Sequence, residues 1–125
     1  MQRRAGAKIP PPFSDNLTGN NAANILDGGF GGNNTTDTLT GLGGADTFVF
    51  NSGHVIITDF SEGDQDRVDI SHANNGSAFT VGQLNALLAA STGDTIDLGN
   101  NNLLTFGGIT NVSTQLHAAD FVLTH

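Results

Sequence analysis

Three oxygen-bearing side chains, Asn24, Asp37 and Asp46, recur at one position of a short glycine-led pattern. Each is the sixth residue of a nine-residue stretch that begins with Gly and carries a large apolar residue eighth. The stretches are residues 19–27 with Leu26, 32–40 with Leu39, and 41–49 with Phe48. Carboxylate and amide oxygens, joined by the carbonyls of a tight turn, are hard donors. That donor set suits Ca²⁺, which takes oxygen ligands at about 2.3–2.6 Å.

The elements that must position these groups follow from the same pattern. The first six residues of each stretch predict a turn, with Gly where φ must be positive. The last three predict a short strand with one inward apolar side chain. Successive units would wind into a roll, with the apolar residues stacked inside. Turn carbonyls and the sixth-position side chain would then point outward. Residues 28–31 form a four-residue insertion between the first and second units. The insertion also allows a rival register, in which residues 28–33 form the turn and Asn33 is the ligand.

Downstream, residues 47–50 and 54–58 alternate in strand fashion around Asn51, Ser52 and Gly53, and read as a hairpin. Residues 61–64 carry a turn signal, and 67–71 are another short strand. Arg67, flanked by Asp64, Asp66 and Asp69, predicts ion pairs worth under about 1 kcal/mol each. Residues 77–90 have helical spacing at Val81, Leu84, Leu87 and Leu88. Thr80 with Gln83 is a capping-box signature. This helix would cover an open side of the roll, whose edge strands need protection. Residues 95–98 and 103–106 read as strands around the turn Asn100, Asn101, Asn102. Residues 113–119 read as one short helical segment, and residues 120–123 as a last strand packing Phe121 and Leu123 into the core.

The repeats resemble the haemolysin-type (RTX) calcium-binding nonapeptide Gly-Gly-x-Gly-x-Asp-x-apolar-x. The order of motifs from Ala45 through Phe50, Ile57 through Phe60 and Asp66 through Ser71 resembles the module that ends type I secreted proteins, such as serralysin-type proteases and RTX adhesins. The resemblance covers residues 19–71. It implies a mainly β fold: a short parallel β-roll of about three turns, with C-terminal strands and one or two capping helices. It also implies ligands. Carried over, Asn20, Ala22 and Asn24 of the first turn face Gly41, Gly43 and Asp46 of the third. Asn33, Thr35 and Asp37 of the middle turn lie on the opposite side, with Asp59 as their partner. The sequence departs from the family pattern at Asn24, which replaces Asp and removes one negative charge. Glycine is also missing from the second and fourth positions of the first two units. The resemblance thus implies one or two calcium ions. The run Asp120, Phe121, Val122, Leu123 resembles the family's export signal, here followed by Thr124 and His125. A type I secretion apparatus would be the transient partner, and the destination extracellular. An extracellular polysaccharide-binding module and an adhesin cap are the alternative readings.

Composition narrows the field. The chain has 125 residues and a formal net charge of −8, with 4 basic residues against 12 acidic ones. This balance opposes nucleic acid and anionic membrane surfaces. All the acidic residues but Glu62 are Asp, which favours loops and caps over helix. No cysteine is present, so disulfides and thiolate sites are excluded. No apolar run reaches the roughly 18 residues of a membrane span. The four histidines, His54, His72, His117 and His125, show no ligand spacing and predict surface or packing roles. No nucleophile elbow or phosphate loop is present, so catalysis is not expected. Residues 1–15 read as a flexible linker or added lead, and residues 16–125 as one domain. A passenger domain would lie upstream.

Overall fold

Short β-prone runs separated by Gly, Asn and Asp turns can bury little surface singly, so each must pair with a run further along the chain. The computed structural model describes residues 14, 16–27, 36–50, 53–71, 79–99 and 102–123. In order, the strands are β1 (Asn16–Thr18), β2 (Ile25–Asp27), β3 (Thr36–Thr40), β4 (Thr47–Val49), β5 (His54–Ile57) and β6 (Arg67–Asp69). After helix α1 (Val81–Ala90) come β7 (Thr95–Gly99) and β8 (Asn102–Phe106). Helix α2 (Val112–Gln115), a 3-10 turn (Ala118–Asp120) and β9 (Phe121–Val122) close the described chain.

The strands form two sheets. One runs β1-β3-β5-β8-β7 and the other β2-β4-β6-β9. From β1 to β6 each strand lies in the opposite sheet from the strand before it. All pairings are parallel except the β7–β8 hairpin. The fold is therefore mainly β, with parallel strands and two α-helices.

The register reflects the nine-residue period. Thr36 pairs with His54, a step of 18, or two units. Asn16 pairs with Thr38 and Ile25 with Thr47, each a step of 22. Only the longer steps span residues 28–31, so the four-residue insertion accounts for the difference. The internal register of residues 28–35, including Asn33 and Thr35, lies outside the described residues.

Leu26, Leu39 and Phe48, the eighth residues of the three units, are fully buried. They join Val55, Ile57, Val68, Leu104 and Phe106 in one apolar cluster fed by both sheets. Phe60 meets Phe106 edge-on at a centroid distance of 5.3 Å, and Phe106 meets Phe121 at 6.5 Å. Such contacts add to the area term of roughly 25 cal/mol per Å² of apolar surface.

Several expectations are corrected. Residues 47–50 and 54–58 do not form a hairpin. β4 pairs with β2 and β6, whereas β5 pairs with β3 and β8 in the other sheet. The inward apolar residues Phe48, Val55 and Ile57 can all reach one core only when the chain crosses between sheets. The region 113–119 holds two elements, α2 and the 3-10 turn, separated by Leu116 and His117. Helix α1 begins at Val81, with Thr80 as N-cap. Both halves of the capping box are present, Gln83 N–H to Thr80 Oγ1 at 3.1 Å and Thr80 N–H to Gln83 Oε1 at 2.9 Å. Leu84 and Leu88 are buried, but Val81 is 55% exposed. The helix lies against β7, α2 and the 3-10 turn. The β7–β8 hairpin forms as expected, and β9 extends the second sheet beside β6 with Phe121 buried and Leu123 packed against the core.

Candidate functional site

The turn at residues 19–24 lies directly on the turn at residues 41–46. Gly19 N–H donates to the Thr40 carbonyl at 2.8 Å, and Thr47 N–H donates to the Asn24 carbonyl at 2.8 Å. Gly43 N–H reaches Asn21 Oδ1 at 3.2 Å. Gly44 has φ +85°, and a Cβ there would stand 2.7 Å from the Ala22 carbonyl carbon. Only glycine permits both that conformation and that approach. The structure thus sets the first turn, through Asn21, Ala22 and Asn24, against Gly43, Gly44 and Asp46 of the third.

The sixth-position side chains differ from expectation in direction. Asn24, Asp37 and Asp46 are at most 2% exposed, rather than projecting outward. For Asn24 and Asp46 the reason is backbone hydrogen bonding. Turn N–H groups lacking a strand partner must find an acceptor, and these side chains supply it. Asn20 N–H donates to Asn24 Oδ1 at 2.7 Å, and Asn24 N–H donates to Asp46 Oδ1 at 2.9 Å. Asp46 N–H donates in turn to Asp66 Oδ1 at 2.9 Å.

Asp66 therefore continues the column, and sequence reasoning missed it. Its signal was present. Residues 61–66 are a six-residue turn ending in Asp, followed two residues later by the buried Val68. No glycine leads the unit, so the pattern was masked. Asp66 Oδ2 accepts Ser61 N–H at 2.9 Å, which closes that turn.

Asp46 is the exceptional member. Its Oδ2 is buried and has no hydrogen-bond partner. That oxygen lies over Gly41, where any Cβ would collide with it. Burial pushes the Asp46 carboxyl up to about 6. The Asn24 N–H opposes that rise, while the charges of Asp66, Asp59 and Asp64 reinforce it. Burial likewise raises Asp66, against the N–H groups of Asp46 and Ser61. A buried, orphaned carboxylate oxygen among like charges is the environment that a divalent cation relieves. The two stacked turns carry Asn20, Asn21, Asn24 and Asp46, side chains that offer oxygen and no sulfur or imidazole.

Asp59, expected to partner the middle turn, accepts Gly41 N–H of the third turn on Oδ1 at 2.9 Å and Leu42 N–H on Oδ2 at 2.7 Å, while Asn33 and Thr35 of the middle turn lie outside the described residues. The chelating carboxylate meets two consecutive N–H groups that the Gly41–Leu42 turn, with Leu42 at φ +64°, directs to one side. Asp37 is buried in β3 and pairs in register with Val55. Arg67, expected to pair with the flanking carboxylates, donates through Nη1 to the Asp66 carbonyl at 3.2 Å. Both Asp66 oxygens are already occupied by backbone N–H groups.

No protein-family model matches the chain, and no curated protein or solved structure matches it.

Proposed function

We propose that the chain is a calcium-binding parallel β-roll that folds outside the cell and carries the export-directing end of a secreted protein. The observation that carries the metal reading is the buried Asp46 Oδ2, unpartnered between two stacked turns. The alternation of strands between two parallel sheets at steps of 18 and 22 residues supports a roll built from nonapeptide units. Asp46 would hold the ion, with the carbonyls of Asn20, Ala22, Gly41 and Gly43 and the Asn24 amide oxygen around it. The ion supplies positive charge at a carboxylate that the fold desolvates.

This arrangement couples metal to folding. A chain of net charge −8 repels itself when compact. A ligand that binds only the folded state stabilises it by about 2.7 kcal/mol at a hundredfold excess over Kd. Calcium is scarce in bacterial cytosol and abundant outside, so the chain would stay loose during export and fold on arrival. Docking of Phe121 against Phe106 gives the terminal segment a structural role after export. The two roles are compatible because export precedes folding.

Far-UV circular dichroism and thermal melting of metal-stripped protein, with and without calcium, test the folding claim. A large gain in structure or Tm on adding calcium is expected. Identical folded spectra and melting curves would sink it. Secretion of a fused passenger with and without residues 120–125 tests the export claim separately.

A further inference from the structure

We propose a second metal site, distinct from the stacked turns, in which Glu62, His117 and Asp120 bind a zinc-type divalent cation and fasten the C-terminal strand to the turn before β6. The three side chains come from two segments 55 residues apart in sequence. Each offers one ligand atom, and these atoms all lie within 4.8 Å of one another. His117 Nδ1 stands 3.0 Å from Glu62 Oε2 and 3.8 Å from Asp120 Oδ2. Ligands on a tetrahedral Zn²⁺ at about 2.0–2.2 Å are separated by roughly 3.3–3.5 Å, so small side-chain adjustments suffice.

The donor set separates this site from the first. One imidazole nitrogen with two carboxylates suits zinc and neighbouring transition metals, whereas calcium prefers oxygen alone. The site is also built unevenly, as an open metal site should be. Asp120 is 6% exposed, and its Oδ2 is fixed by the His117 backbone N–H at 2.9 Å. The side chains of His117 and Glu62 are 67% and 39% exposed, which leaves a solvent face for a water ligand. Glu62 and Asp120 each offer a carboxylate oxygen within 4.8 Å of the other, a like-charge pair that a proton or a cation between them relieves. A cation there would tie the turn at 61–66, which leads into β6, to the segment that leads into β9. These strands are already neighbours, Val68 pairing with Phe121.

The test is titration of calcium-saturated protein with ZnCl₂, followed by calorimetry and by thermal melting. One zinc per chain and a Tm rise of several degrees are expected for the wild type. Loss of a ligand weakens binding more than loss of its supporting partner, which alone costs roughly tenfold or more. His117→Asn and Glu62→Gln should therefore each weaken zinc binding at least about tenfold and abolish the Tm rise. Both residues face solvent, so both variants should keep the wild-type calcium-dependent fold. His54→Gln, whose ring contacts Thr105 Oγ1 instead, should bind zinc as the wild type does. Zinc bound equally well by His117→Asn, or no zinc-dependent Tm rise in the wild type, would overturn the proposal. The calcium reading is unaffected by either result.

Discussion

Asn24 and Asp46 are joined by a hydrogen bond of 2.9 Å, from the Asn24 backbone N–H to Asp46 Oδ1, across 22 residues of sequence. That bond fixes the carboxyl group between the two turns and leaves Oδ2 turned over Gly41 without a partner. The rotamer is thus set by the backbone of the neighbouring turn. Asp46→Asn keeps one oxygen for Asn24 but removes the charge. The variant should melt near the wild type without metal, or slightly above it, because a desolvated carboxylate has been neutralised. It should lose most of the calcium-dependent rise in Tm. Paired melting curves in calcium and in metal-stripped buffer check both halves.

Asp66 is expected to matter for stability even though no glycine leads its unit. Asp66→Ala leaves the N–H groups of Asp46 and Ser61 without their acceptor. Each orphaned buried donor costs about 1–3 kcal/mol. The effect should appear in urea unfolding with calcium present, as a lower midpoint at unchanged slope. A midpoint equal to that of the wild type would show that water replaces the carboxylate at no cost.

The pH dependence of the metal-free chain should run opposite to that of most acidic proteins. Asp46 is raised from 3.8 to about 6 by burial, and Asp120 to about 6 by burial and its contact with Glu62. Both groups bind their proton more tightly when folded. Their stabilisation is complete below the unfolded value of 3.8 and is lost as pH rises through about 6. His117, raised by its hydrogen bond to Glu62, acts in the same sense. Glu62 is lowered by its hydrogen bonds to Asp120 and His117, and acts in the opposite sense at lower pH. Metal-stripped protein should therefore melt higher at pH near 5 than at pH near 7.5. Saturating calcium should reverse the order, because Asp46 must lose its proton to bind the ion. Differential scanning calorimetry over this range, with and without calcium, gives the comparison.

Two glycines with positive φ separate conformational strain from close packing. Gly44 has φ +85° and lies against the Ala22 carbonyl, whereas Gly93 has φ +64° and open space where a Cβ would go. Gly93→Ala should cost only the left-handed conformation, about 1–2 kcal/mol. Gly44→Ala should cost more, since the two turns must also separate. It should weaken calcium binding besides. Equal Tm losses for the two variants would mean that the stacked turns yield freely.

Much of the local structure was legible in the chain because it depends on residues close in sequence. The capping box at Thr80 and Gln83 forms as read, since a helix N-terminus is a four-residue event. The β7–β8 hairpin does too, because its strands are joined by a short turn. The nine-residue spacing fixed which side chains are buried, Leu26, Leu39 and Phe48 among them, and hence the pairing steps of 18 and 22.

Tertiary structure decided the partners. Whether residues 47–50 and 54–58 fold back or cross to the other sheet depends on which distant strands compete for their hydrogen bonds. β2, β3, β6 and β8 win that competition over a local hairpin. Spacing drew Asp59 to the middle turn, and tertiary structure brought the Gly41 and Leu42 N–H groups of the third turn to it. The burial of Asp46 had the same origin. A carboxylate in a glycine-rich turn is drawn outward by water and inward by unpaired N–H groups, and the neighbouring turn supplied the N–H that held it inside.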